Sequence, residues 1–296
     1  AMKLSFTHMT TGLLIAAFLL ASVHADTTIN ATNKYAWSAN TGWGDFAPST
    51  SDGVAISGRF LAGYAWEANT GWIHFGDGPP DNGHAYLNTG DDYGVNIDAE
   101  GNLSGYAWSA NTGWINFGWT TSGDSDRPRV DLGSGELRGK AWSANTGWMN
   151  LGTNLLFTDE IQRLDADADG IPDAYEQFYF GGLAVANDMS DQDGDGQPDV
   201  DEAVAGTDPL DANDFLRIVS FDIQESPPAA TIEFTSESGR RYTIELSNAL
   251  GQGSGWSDVT PVEFMPDNGA TTTRSVTYPD NDRKFFRVEA IRPLDK

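Results

Sequence analysis

Residues 64–84 read YAWEANTGWIHFGDGPPDNGH, and the first twelve are one of four copies of a single motif. The others are YAWSANTGWGDF (35–46), YAWSANTGWINF (106–117) and KAWSANTGWMNL (140–151). In each copy two Trp flank an Asn-Thr-Gly turn, which predicts a hairpin with the two indoles close across it. The lead-ins, such as Gly94-Val-Asn-Ile-Asp98 and Arg129-Val-Asp-Leu132, alternate apolar and polar residues between Gly/Asn/Asp breaks and read as short antiparallel strands. Uneven spacing between copies suits hairpins with variable loops better than a strict solenoid. Indoles bury a large area, so most of the eight repeat Trp are expected in the core. An exposed row of them would instead suit stacking on sugars.

Composition bounds the rest. The chain has 296 residues, a net charge of −26 and no Cys. Such acidity disfavours nucleic acid and anionic lipid and invites divalent cations. Without Cys there are no disulfides, thiolate metal sites or Cys nucleophiles. Lys3, the apolar run 13–20 and Val23-His24-Ala25 read as a secretory signal over 1–25, too short for a membrane span. The mature chain is therefore expected outside the cell or on its surface, with no membrane span. His8 and His24 leave with the leader, so only His74 and His84 remain.

Both lie in the second copy. His74 stands where the other copies have Asp45, Asn116 and Asn150. Strand alternation puts Trp72 and His74 on one face and Ile73 on the other. The loop 76–83 can fold back and bring His84 to the same place. Two neutral imidazoles suit copper or zinc, and Asp77 or Asp81 could complete a zinc site. Two unrelated surface histidines are the plain alternative.

The acidic stretch 156–214 carries two loops of one pattern. Asp165, Asp167, Asp169, Asp173 and Glu176 occupy positions 1, 3, 5, 9 and 12, with Gly170 at 6 and the Ile171 carbonyl at 7. Asp191, Asp193, Asp195, Asp199 and Glu202 repeat it, with Gly196 and the Gln197 carbonyl. The chemistry is that of calcium, with a structural role: stiffening a tether whose charges repel. Pro172 and Pro198 at position 8 and the short helical tails resemble thrombospondin type 3 and dockerin-like loops. Beyond them, 215–224, 231–235, 241–246, 273–278 and 285–291 read as strands of a small antiparallel sandwich.

The expected fold is mainly β: a Trp-rich hairpin domain (26–155), a calcium-loop region with short helices (156–214) and a C-terminal β-sandwich (215–296). No nucleophile–base pair or paired glycosidase carboxylates stand out, and an enzyme is not expected.

The Trp72–His74 W-x-H element, the secretion signal, the lack of Cys and the calcium loops together resemble the copper-binding surface proteins of methane-oxidising bacteria, the MopE/CorA type. The resemblance covers mainly the repeat domain. It implies that Trp72 is oxidised to kynurenine, whose aromatic amine binds copper, as Cu(I), beside His74, with His84 as the remaining histidine. It also implies copper scavenging and a dihaem cytochrome c peroxidase-like partner that oxidises Trp72. The other expectation is a calcium-stiffened adhesion or glycan-binding surface protein that uses its Trp for stacking.

Overall fold

The computed structural model describes residues 26–250, 255–259, 263–278 and 284–295. The expected leader, 1–25, lies outside them. Each motif copy makes one hairpin: Ile29–Ser38 with Gly42–Asp45, Leu61–Glu67 with Gly71–Gly76, Leu103–Ser109 with Gly113–Asn116, and Lys140–Ser143 with Gly147–Asn150. Neighbouring hairpins pair antiparallel. The last strand returns to the first through Trp37↔Asn150 and Ser38↔Met149, which closes an eight-stranded barrel. Val54–Ile56, Val95–Ile97 and Leu156–Thr158 extend the sheet to eleven strands. Leu156–Thr158 pairs with the first strand, so the barrel sheet runs past residue 155.

The turn residues explain the motif. Gly42, Gly71, Gly113 and Gly147 all adopt φ between +77° and +88°, the left-handed region that glycine enters without steric cost. The Asn of each turn reaches a neighbouring hairpin. Asn69 donates to the Thr41 carbonyl, Asn111 to Thr70, Asn145 to Thr112, and Asn40 to Thr146, each at 2.8–2.9 Å. Four identical bonds thus form a closed ring around one end of the barrel.

The Trp expectation is overturned. All eight repeat Trp are 36–49% exposed and form a belt on the outside of the barrel. Alternation decides this. In Tyr-Ala-Trp-Ser the inward residues are Ala and Ser, and an eight-stranded barrel has little interior room. Ala36, Ala65, Ala107 and Ala141 are fully buried. They face Gly44, Ile73, Ile115 and Met149 across the hairpins, so in three of the four hairpins a small side chain faces a large one. Phe46, Phe75 and Phe117 fill the next layer, with ring centroids 5.3 and 5.6 Å apart. The indoles gain their stability from each other instead. The four cross-hairpin pairs have centroids 4.5–4.9 Å apart at tilts of 60–66°.

Two short helices, α1 (Asp173–Tyr179) and α2 (Asp199–Ala205), follow the acidic loops. Ile171, Ala186 and Ala203 give this region a small core of its own. It does not stand free as a tether. Arg59 of the barrel lies over the Phe178 ring at 3.7 Å, and Arg240 of the sandwich donates to the Ala203 and Val204 carbonyls. The C-terminal region is the expected sandwich. One sheet holds Ile218–Glu225, Pro228–Thr235 and Thr271–Thr277; the other holds Arg241–Ser247, Ser257–Asp258 and Phe285–Ile291. Ile232, Phe234, Tyr242, Ile244 and Val276 are buried between them. Among the described residues no helix is long and apolar enough to cross a membrane.

Candidate functional site

The belt and His74 occupy one surface. Between hairpins, each first Trp of the motif pairs with the position that varies among the copies: Trp66 with Asp45, Trp108 with His74, Trp142 with Asn116 and Trp37 with Asn150. Indoles and polar side chains therefore alternate around the barrel. Tyr64 lies between the expected copper ligands. Its ring stacks on His74 at 4.6 Å and meets Trp72 edge-on at 6.0 Å. Tyr93 adds an edge contact to Trp114 at 4.9 Å.

His74 is held firmly. Its Nδ1 shares a 2.8 Å hydrogen bond with Tyr93 Oη. Its Nε2 is buried and sits 3.1 Å from Asp77 Oδ1, which is its one close polar neighbour among the described residues although the pair is poorly aligned for a hydrogen bond. Burial lowers the imidazole pKa, while Asp77 opposes that shift. The bond on Nδ1 fixes the ring orientation and turns Nε2 toward Asp77. A cavity of about 370 Å³ opens beside it, lined by Phe60, Ala62, Tyr64, Asp77 and Leu164.

His84 is elsewhere. Its ring meets Phe178 of α1 edge-on at 5.5 Å, and its Nδ1 lies 3.1 Å from the Asn82 carbonyl. Among the described residues no set of three His, Asp or Glu ligand atoms gathers within 4.8 Å around His74. The structure thus brings Trp72, His74 and Asp77 to one patch and leaves His84 and the exposed Asp81 outside it. The reason is Tyr86. Its hydroxyl donates to the Gly78 carbonyl at 2.5 Å, and its ring fills the space beside Gly76. This ties the loop to Tyr86, and His84 packs on Phe178 of α1.

The acidic loops bring their carboxylates together. Ligand oxygens of Asp165, Asp167 and Asp169 lie within 4.8 Å of one another, as do those of Asp191, Asp193 and Asp195. Asp165 and Asp191 each accept two loop N–H groups, and Asp173 and Asp199 accept the N–H of Ala166 and Gln192. Glu176 and Glu202 are buried. Both Glu176 oxygens, Glu202 Oε2 and one oxygen each of Asp169, Asp193 and Asp195 are buried without a hydrogen-bond partner. Desolvation, reinforced by the neighbouring Asp residues, pushes Glu176 and Glu202 up to about 8. The gathered Asp triads, with orphaned carboxylate oxygens in each loop, are what a hard, oxygen-liganded cation satisfies, although Glu176 and Glu202 lie outside the triads. The Ile171 side chain serves the local core.

The sequence reading missed the buried Glu67. It stands where the other copies have Ser, and Thr41 and Thr70 donate to its carboxyl group. The odd letter in an otherwise shared Ser position was the available signal. Comparison with family models, curated proteins and solved structures finds no match.

Proposed function

We propose that the chain is a secreted, calcium-stiffened surface protein that binds glycans along the Trp belt of its barrel. The observation that carries this reading is the exposure of all eight repeat Trp on the outside of the barrel. Exposed apolar patches with polar neighbours mark interaction surfaces. Asp45, Asn116 and Asn150 alternate with the indoles and can hydrogen-bond sugar hydroxyls while the rings stack on sugar faces. Two calcium ions, on Asp165–Glu176 and Asp191–Glu202, would hold the region that joins barrel and sandwich. The test is a carbohydrate array followed by titration of the calcium-loaded protein. Trp43→Ala and Trp114→Ala are expected to weaken binding at least tenfold with the barrel still folded by near-UV circular dichroism. Equal affinity in both variants, or an array with no hit, would refute the reading.

Copper at Trp72 and His74 is the second reading, favoured by the buried Nε2 of His74, with Asp77 3.1 Å away, beside an exposed Trp72. His84 joins such a site only if the loop pinned by Tyr86 moves. Copper titration of His74→Ala and His84→Ala, with the mass of the Trp72 peptide from the native host, tests it. Oxidation to kynurenine adds about 4 Da. Copper binding lost in His74→Ala, with that mass shift, would place copper first; an intact Trp72 and no copper would remove it.

A further inference from the structure

Barrel, helical region and sandwich meet at a cavity of about 100 Å³, and four arginines line it: Arg59, Arg163, Arg240 and Arg292. The chain has 17 basic residues against 43 acidic ones, so four arginines at one cavity run against its composition. Their carboxylate partners are too few. Asp295 alone serves two of them, taking Arg163 Nη1 at 3.0 Å and Arg292 Nε at 2.9 Å. Asp98, the acid in the cavity wall, is committed to its own turn through the Glu100 and Asn102 N–H groups and the Asn102 amide. Arg240 gives Nε–H and one N–H of each terminal nitrogen to the Val204, Gly239 and Ala203 carbonyls, which leaves two of its five N–H groups uncommitted. Arg59 offers the Phe178 ring only one face of its guanidinium. Among the described residues neither Arg59 nor Arg240 has a carboxylate within 4.0 Å, and Arg292 Nη1 is buried without any partner.

We propose that this cavity is a binding site for one small tetrahedral oxyanion, phosphate or sulfate, held by Arg59, Arg240 and Arg292. The planar guanidinium fork matches such oxygens in pairs, and arginine cannot escape its charge by losing a proton at neutral pH. Burial, with Arg163 and Arg292 close by, lowers Arg240 to about 10, which an anion would reverse. The volume admits a small ion with little else, and the walls come from all three regions. Anion binding therefore ties them together. The site is separate from the belt and adjoins the first acidic loop, whose Pro172, Ala174 and Tyr175 form part of the cavity wall.

The test is calorimetric titration of the full mature chain, calcium-loaded, with sulfate and with inorganic phosphate. One site per chain is expected, with a melting temperature that rises with sulfate. Arg292→Gln and Arg59→Gln should each weaken binding at least tenfold. Arg274→Gln, which does not line the cavity, should leave it unchanged. Displacement of sulfate by glycerol phosphate would extend the site to phosphate esters; failure would restrict it to the free ion. Should Arg292→Gln fail to fold, Arg59→Gln carries the test, since Arg59 gives up only a ring contact. No saturable binding up to 20 mM, or undiminished binding in the folded variants, would overturn the proposal. Undiminished binding would assign the anion to the calcium ions instead.

Discussion

Chelation of calcium is expected to lower the melting temperature by on the order of 20 °C at pH 7.5. Two sites, each filled about a thousandfold above its dissociation constant, contribute about 8 kcal/mol together. A chain of this size shifts by roughly 2–4 °C per kcal/mol. The pH dependence makes the prediction specific. In the calcium-free protein Glu176 and Glu202 sit near 8, against an ordinary value of 4.5. An acid whose folded pKa is raised binds more protons folded than unfolded. Its protonation therefore supports the fold at low pH, and that support is lost as pH rises from about 4.5 through about 8. Calcium requires the ionised carboxylates and acts in the opposite sense. The gap between loaded and chelated melting temperatures should widen steadily from pH 5 to pH 8. Calorimetry at four pH values checks this; a gap below about 5 °C, or one that narrows with pH, would exclude calcium from these loops. Hydrogen exchange should show α1 and α2 loosening first. Because Phe178 carries both Arg59 and His84, the 77–94 loop should loosen with them.

Local patterns were legible and long-range ones were not. The hairpins follow from Asn-Thr-Gly and alternation, and the acidic loops from twelve-residue spacing. The strand 285–291 was readable because its neighbours are turn residues. Barrel closure was not, since it depends on Trp37 meeting Asn150 and on the Asn40 bond to Thr146, contacts more than 100 residues apart. The outward Trp could have been read from the motif itself. Four Ala and three Ser at the inward positions mark the face beside each Trp as the narrow interior, where an indole does not fit. His84 failed to reach His74 for a similar reason: nothing near residue 84 announces that Phe178 will pack on it. The four arginines of the oxyanion cavity are spread from 59 to 292, and only the fold assembles them.

Gly44→Ile is expected to destabilise the barrel by about 3 kcal/mol or more, and Glu67→Ser in the same chain to restore most of the loss. Two departures from the repeat are responsible. Copy one has Gly44 where the others have Ile73, Ile115 and Met149, and copy two has Glu67 where the others have Ser38, Ser109 and Ser143. The two positions are direct partners across the hairpin boundary. A Cβ at Gly44 would lie 3.3 Å from Glu67 Cγ, so the Glu67 side chain occupies the volume that an isoleucine fills elsewhere. Gly44 does not adopt a positive φ, so its backbone accepts a side chain and the cost is steric. Overpacking alone costs about 1–3 kcal/mol. Forcing the carboxyl group off its Thr41 and Thr70 donors, inside a barrel where only 2% of Glu67 is exposed, adds the price of a buried polar group without partners. Glu67→Ser alone leaves a void over Gly44 and is expected to cost about 1–3 kcal/mol. The double variant rebuilds the small-and-large alternation of the other copies and should come within about 1 kcal/mol of the parent, a coupling that distant sites do not show. Urea unfolding of the four proteins measures it. Additive losses would mean that Gly44 and Glu67 do not share the space assigned to them.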